Sequence, residues 1–247
     1  MAKEEEMKNF DFIDEADGMQ GFEDIDLSTV AIPFLKILQT LSPELNKKKP
    51  AFIEGAEEGD LVNTVTKHNY GSEIEITILK FEHVFTEWRP ERGGLVGVHD
   101  PVNAERLAAN KTFGKWKTKD GNDLSENYMY YVIIKGYEDH GVCIISAVST
   151  NIPAAKVLNK LMLMQRWGNG QKAMPFHQIY KVKTVFNTNE KGDWYTFSFQ
   201  FVGFVDQELY LAAKEERKLL PTKQVDYAQI EDRSGGASAD SKDDIPY

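Results

Sequence analysis

The sequence predicts an α+β fold that is mainly β, and three observations lead to this class. Five stretches have the apolar and aromatic alternation of strands, a few shorter stretches have helical spacing, and both ends are acidic without a sustained apolar period. With 247 residues, of which 41% are hydrophobic and 11% aromatic, the chain is long enough to bury one sizeable core. We therefore expect a folded domain between two polar ends.

The clearest strand is predicted at residues 73–88, where Ile74, Ile76 and Ile78 alternate with polar residues. Since successive side chains of a strand point to opposite faces, one face of this strand should be buried and the other solvated. The same reasoning predicts four further strands, at residues 128–137, 142–149, 177–189 and 193–205.

The main helix is predicted after the third strand, in the segment NIPAAKVLNKLMLMQRW. Asn151 fits an N-cap and Pro153 fits the first turn. Val157, Leu161 and Met164 recur at helical spacing. The sequence also predicts a helix in DQELYLAAKEERKLL, a short surface helix in PVNAERLAANK and a helix of about two turns from Pro33.

The order of these elements indicates an architecture. Three strands, a helix and two strands is the order found in the OB-fold, a five-stranded Greek-key barrel used for single strands and oligosaccharides. We expect an OB-fold-like domain with a few peripheral helices at residues 28–221, a flexible acidic arm at residues 1–27 and a disordered acidic tail at residues 222–247.

Charge is distributed unevenly along the chain. The formal net charge is -10, but residues 1–27 hold two lysines and ten acids and residues 222–247 hold three bases and six acids. The remaining residues are close to neutral, and between Asp139 and Glu190 no acid occurs while six lysines and arginines do. Such a stretch is expected to keep one face attractive to anions.

Several function classes are disfavoured by the sequence. It contains no phosphate-binding glycine loop, paired cysteines, HExxH or GxSxG motif, and its five histidines are scattered singly. We therefore expect no catalysis, no cofactor and no metal. No apolar run approaches the roughly 20 residues of a membrane span, so a cytoplasmic protein is expected. The single cysteine, Cys143, lies in apolar VCIISAV and is expected to be buried.

The strongest functional pattern is the alternation of rings and lysines in FGKWKTK. Bases of an uncoiled strand can stack on rings, at about 1–3 kcal/mol each, while neighbouring lysines neutralise phosphates. The alternative is a solvated hairpin turn with Trp116 folded back on the sheet. The candidate residues here are Phe113, Lys115, Trp116, Lys117 and Lys119.

Four other places combine rings with cations or pair cations on one strand face, and each has a purely structural alternative, either core anchoring of the ring or a solvated exterior. Alternation on the second long strand suggests that Tyr131 and Lys135 lie on an exposed groove face. The remaining candidates for nucleic-acid contact are Arg166, Trp167 and Lys172 around a glycine turn, Lys181 and Lys183 on one strand face, and Trp88 with Arg89 at a strand end.

The segment SKDDIPY resembles the C-terminal tip of bacterial single-stranded DNA-binding proteins, where a disordered linker ends in aspartates followed by Ile-Pro-Phe. A ring, a proline and a free carboxylate can seat in a small apolar pocket with a basic rim. The resemblance implies that this tip recruits replication and repair proteins. The matching residues are Asp243, Asp244, Ile245, Pro246 and Tyr247, with Tyr in place of Phe.

Three further stretches, DIDLSTVAIPFLKILQTLSPEL, LVNTVTKHNYG and EWRPERGGLVGVHDP, resemble phage-encoded proteins of the single-stranded DNA-binding type. This resemblance implies an OB-fold core, no catalysis and an acidic tail that competes with DNA for a basic groove.

The resulting expectation is sequence-independent binding and protection of single-stranded DNA in phage replication or recombination, with partner proteins recruited by the tip. One alternative is an interaction protein that captures host replication factors through its tail without binding DNA. Another is a nuclease or nucleotide hydrolase with dispersed carboxylates and histidines. Formation of a homo-oligomer and a preference for DNA over RNA are left open by the sequence.

Overall fold

A computed structural model describes residues 33–90, 93–112, 115–190 and 192–220. The strands are β1 (Leu35–Ile37), β2 (Leu61–Asn63), β3 (Glu73–Trp88), β4 (Leu95–His99), β5 (Ala108–Thr112), β6 (Lys115–Thr118), β7 (Asp123–Ile134), β8 (Cys143–Val148), β9 (Gln178–Asn189) and β10 (Gly192–Phe204). The α-helices are α1 (Pro101–Leu107), α2 (Ile152–Met164) and α3 (Gln207–Leu219).

Two long antiparallel strands, β3 and β7, form the spine of the main sheet. They pair from Ile76 with Ile134 to Trp88 with Asp123, and a bulge between Ile78 and Lys80 shifts the register on β3. The outer edge of β3 pairs first with β9 and then with β4. The outer edge of β7 pairs with β6 near its start and with β8 further along.

The β3–β7 pair therefore belongs to two five-stranded portions of one sheet. At the start of β3 the strand order is β10-β9-β3-β7-β8, and at the end of β3 it is β4-β3-β7-β6-β5. In the first portion, buried side chains from all five strands meet in a single apolar cluster. A flat sheet would not bring its outermost strands together in this way, so the sheet is curled into a half-barrel.

The interior of the half-barrel is closed by α2. Ala155, Leu158 and Met162 of this helix are buried in the same cluster as the inward side chains of the strands. The hydroxyl of Tyr130 on β7 is 3.0 Å from the carbonyl oxygen of Ala155 and 2.9 Å from Oδ1 of Asn159. The helix is thereby fixed to the sheet by both apolar and polar contacts.

The opposite face of the sheet carries a second apolar cluster beneath α3. Met129, Tyr131 and Ile133 of β7 pack there with Leu209 and Ala213 of the helix. The carboxylate of Asp206 caps the helix by accepting a hydrogen bond from the Leu209 N–H. Both faces of the central part of β7 are therefore covered.

Most predicted elements are confirmed, including the mainly β class and the position of α2 between the third and fourth predicted strands, which are β8 and β9. The helix predicted from Pro33 is wrong, because Leu35–Ile37 pairs with β2 instead. The Phe34 N–H also bonds the Thr64 hydroxyl, and the Ile144 N–H bonds the Pro33 carbonyl. These contacts with distant segments outweigh the weak local preference for helix.

The predicted acidic arm and acidic tail, including the tip at residues 243–247, lie outside the described residues. Cys143 is buried, as expected. In the part of the chain that the structure describes, no helix has both the length and the apolar character needed to cross a membrane.

Candidate nucleic-acid interface

A row of aromatic side chains runs along the β3–β7 pair from the interior of the half-barrel toward the end of β3. After the bulge, alternate residues of β3 project Phe81, His83 and Phe85 onto the face that continues the interior of the half-barrel. They meet rings from β7 and β6. We call this row the aromatic stripe, consisting of Phe81, His83, Phe85, Trp116, Tyr128 and Tyr130.

Neighbouring rings of the aromatic stripe contact one another. Trp116 stacks on Phe85 with a centroid distance of 4.9 Å and an interplanar angle of 28°. His83 stacks on Tyr128 at 4.5 Å and 19°. Phe81 lies 5.1 Å from Tyr130. Such mutual packing holds the rings in fixed orientations.

Exposure along the aromatic stripe is graded. Phe85, Tyr128 and Tyr130 are buried, whereas Phe81 is 37% exposed. His83 and Trp116 are half-buried. Phe81, His83 and Trp116 therefore present ring surface to solvent while buried rings support them from below.

The environment of Tyr128 in the aromatic stripe favours its uncharged form. Burial, followed by the negative charge of Glu126, raises the pKa of Tyr128 to about 12. The carboxylate of Glu126 lies 2.9 Å from Nε2 of His83. The Tyr128 hydroxyl is neutral near pH 7, and the carboxylate beside it is partnered by the imidazole.

The β5–β6 hairpin brings lysines to one end of the aromatic stripe. Nζ of Lys111 lies 5.3 Å from the ring centroid of Trp116 and also contacts Glu105. Lys117 pairs with Asp123 at 2.8 Å, and Lys119 is exposed in the following turn. The predicted combination of Trp116 with lysines is thus present on this hairpin, and the Trp116 ring packs against the sheet. Phe113 and the side chain of Lys115 lie outside the described parts.

Two predicted ring positions need correction. Tyr131 was expected on an exposed groove face, but it is 1% exposed, and its hydroxyl donates to the Glu82 carboxylate at 2.9 Å. Alternation separated the two faces of β7 correctly, yet it gave no sign that α3 covers the second face. Trp88 is 6% exposed and offers no ring surface, although Arg89 beside it is exposed.

The predicted lysines on β9 share one face, but a carboxylate between them offsets part of their charge. Glu73 of β3 forms ion pairs with both Lys181 and Lys183. The hydrogen bonds from these two lysines lower the pKa of the Glu73 carboxyl. Lys135 pairs with Glu75 at 3.1 Å. This surface is a mixed ionic patch and not a cationic track.

The predicted loop at residues 165–172 folds back on itself. Arg166 and Lys172 form a backbone bridge and both are exposed. Trp167 between them is half-buried and stacks on Phe204 at 4.5 Å and 30°. Its ring is also 5.4 Å from His177.

Two features were missed by the sequence reasoning. The aromatic stripe was visible as alternate rings in KFEHVFTE, but the same alternation also describes a core strand. The second feature is a cleft of about 380 Å³ beside α3, which we call the α3 cleft, lined by Phe176, Tyr210, Lys214, Arg217 and Lys218. Its cations recur at helical spacing in the sequence, but nothing local joins them to Phe176.

Comparisons with known proteins give the family. Neither a curated protein nor a solved structure matches the chain. Within the described ranges, no group of three or more His, Cys, Asp or Glu side chains is placed to hold a metal ion. The family model described as Pam3 phage gp34-like protein matches residues 2–226. The chain therefore belongs to the Pam3 phage gp34-like protein family.

Proposed function

We propose that the protein binds single-stranded DNA without sequence preference and protects it during phage replication or recombination, with the aromatic stripe as the stacking platform. The observation that carries this proposal is the set of accessible rings, Phe81, His83 and Trp116, held on a packed base. The adjacent β5–β6 hairpin adds lysines, of which Lys111 and Lys117 form ion pairs with carboxylates and Lys119 is exposed in the following turn. Every base has a flat face, so stacking on such rings is tolerant of sequence.

The fold supports this function if the first five-stranded portion is a partly open OB-fold barrel, which we also propose. Its strand order β10-β9-β3-β7-β8, with α2 between β8 and β9, corresponds to a Greek-key arrangement of five strands and a helix. OB-folds often bind oligonucleotides through the loop between their first two strands. Here that connection, residues 89–122, carries the β5–β6 hairpin and Trp116.

The other surface that OB-folds use is covered in this chain. Ligands of OB-folds commonly contact the outer face of the second and third strands. The corresponding side chains, such as Met129 and Ile144, are buried together with Phe34 and residues of α3. A bound strand therefore needs another path, and the aromatic stripe provides one at the same end as the residue 89–122 connection.

The central experiment is a titration of fluorescent oligo-dT at low and high salt. We expect binding at low salt that weakens steeply as salt rises, because each lysine–phosphate contact releases counterions condensed on the DNA, and this release is less favourable at high salt. The double variant Phe81→Ala and Trp116→Ala should lose at least about tenfold in affinity. Tyr137→Ala, which removes a half-buried ring at the far end of β7, serves as the control.

Two results would count against the proposal. The first is an absence of wild-type binding at low salt. The second is an equal affinity of the double variant and the Tyr137→Ala control, which would place any DNA contact away from the aromatic stripe.

Residues 243–247 resemble the C-terminal tips of single-stranded DNA-binding proteins. This resemblance supports a second role, the recruitment of replication proteins. It equally supports the alternative function, capture of host replication factors without DNA binding. Deletion of residues 222–247 separates the two. A DNA-binding protein should retain or gain affinity for oligo-dT, because an acidic competitor is removed, whereas a pure decoy would lose its only activity.

A further inference from the structure

We propose that the α3 cleft is a second contact surface for the same DNA strand, so that a long strand passes around an edge of the sheet. This inference rests on the proposed function, since it assigns a further part of the DNA path. It assigns a binding role to Tyr210, Lys214 and Arg217, none of which the sequence pattern indicated.

The α3 cleft combines flat rings with cations. The rings of Phe176 and Tyr210 are 6.2 Å apart with an interplanar angle of 25°, and both are half-buried. The guanidinium of Arg217 lies 4.7 Å from the ring centroid of Phe176. A guanidinium fixed over a ring keeps its outward N–H groups available for phosphate, and the neighbouring rings offer faces for bases.

The charges of the α3 cleft favour an anion. Within the described residues, no carboxylate pairs with Lys214 or Arg217, while Lys218 pairs with Glu215 at 2.6 Å. Glu216 is half-buried and does not line the cleft, and burial raises the pKa of its carboxyl. The remaining acid on the helix beyond its cap, Glu208, lies in the first turn, away from the cations of the last two turns.

A chain of rings joins the α3 cleft to the cationic loop at residues 165–172. The ring centroid of His177 lies 4.2 Å from that of Phe176 and 5.4 Å from that of Trp167. Trp167 is flanked by the exposed Arg166 and Lys172. The loop and the cleft therefore form one surface in which rings alternate with cations, the composition that single-stranded nucleic acid requires.

The α3 cleft and the aromatic stripe lie on opposite faces of the sheet. Val84 packs in the cluster beneath α3, together with Leu209 and Ala213. Its neighbours on β3, His83 and Phe85, belong to the aromatic stripe. Because successive residues of a strand point to opposite faces, a strand that contacts both surfaces has to pass around an edge of the sheet.

Length dependence of binding tests this inference. An oligo-dT of about 6 nucleotides should reach one surface only, whereas one of about 30 nucleotides should reach both. The double variant Lys214→Gln and Arg217→Gln should bind the short strand within about twofold of wild type and lose at least about tenfold in affinity for the long strand. The salt slope for the long strand should fall by about 1.4, since each phosphate contact contributes about 0.7.

The control is Lys47→Gln with Lys48→Gln, which removes two exposed lysines from the turn before Pro50 and should leave the length dependence unchanged. Unchanged affinity of the α3 variant for the long strand overturns the inference, and so does an equal loss for both lengths. If wild type binds neither strand, the proposed function fails and this inference fails with it. Circular dichroism verifies that each variant is folded.

Discussion

The two ends of the β3–β7 pair differ in what covers them. At the start of β3, Ile76 and Ile78, with Val132 of β7 opposite Ile78, are fully buried because β10 and α2 close over them. At the end of β3, the same face bears Phe81 and His83, which reach solvent. The pattern of alternating apolar residues is the same at both ends. The cover, and not the pattern, decides which end is core and which is available for binding.

The largest expected effect breaks the covered end. Leu158→Ala in α2 removes a fully buried side chain and should lower the free energy of unfolding by about 2–5 kcal/mol, because a cavity replaces packed atoms. Leu163→Ala in the same helix, where the side chain is 60% exposed, should change stability by less than about 0.5 kcal/mol. Urea unfolding measures both.

Because the two substitutions are chemically identical and share a helix, propensity cancels between them. Similar losses of stability in both variants would mean that α2 does not close the half-barrel through Leu158.

This contrast also marks what the sequence could predict. The long strands, α2 and α3 follow from periodicity and caps. The second long strand was read with the correct alternation, but the face of Tyr131 was assigned to solvent. Periodicity reports which residues share a face and not whether a distant helix covers it.

The candidate site was predicted less completely for the same reason. FGKWKTK identified Trp116, but its supporting ring Phe85 lies about thirty residues earlier on β3 and was not predicted to belong to the site. Likewise, the lysines of β9 were predicted to share a face, yet their ion pairs with Glu73 depend on strand pairing. Contacts between strands distant in sequence are not readable from a local pattern.

The next effect tests the uncovered end. Phe81→Leu keeps an apolar side chain but removes the ring, so oligo-dT affinity should fall by about 1–3 kcal/mol, or roughly 5- to 150-fold. Phe81→Tyr keeps the ring and should retain affinity. Fluorescence anisotropy at low salt measures both variants. Equal affinities for the leucine and tyrosine variants would show that the ring does not stack on a base.

A smaller effect concerns His177, between the loop at residues 165–172 and the α3 cleft. Burial, and secondarily the charge of Arg217, lowers the pKa of His177 below its ordinary value of 6.5. As the pH falls, the unfolded chain then binds a proton at this histidine near pH 6.5, whereas the folded chain binds it only at a lower pH. The stability due to this histidine is therefore fully present above pH 6.5 and declines as the pH falls below that value.

Thermal unfolding between pH 8 and pH 5.5 measures this dependence. His177→Phe keeps a ring among Phe176, Trp167 and Tyr210 but removes the titrating group. The melting temperature of this variant should fall less on acidification than that of wild type. All the other histidines are the same in the two proteins, so the difference reports on His177. Parallel curves for the two proteins would show that the site does not disfavour the imidazolium.

The smallest effect sharpens the comparison between a cationic track and a mixed ionic patch. Glu73→Gln removes the carboxylate that holds Lys181 and Lys183, so both ammonium groups become available to phosphate. Because all three groups are at the surface, the melting temperature should not change measurably. Oligo-dT affinity at low salt should rise on the order of twofold, since the patch gains positive charge. Ser72→Gln, a change at the adjacent exposed position, should leave the affinity unchanged. If Glu73→Gln lowers the affinity, the ion pairs must instead order a surface that the DNA contacts.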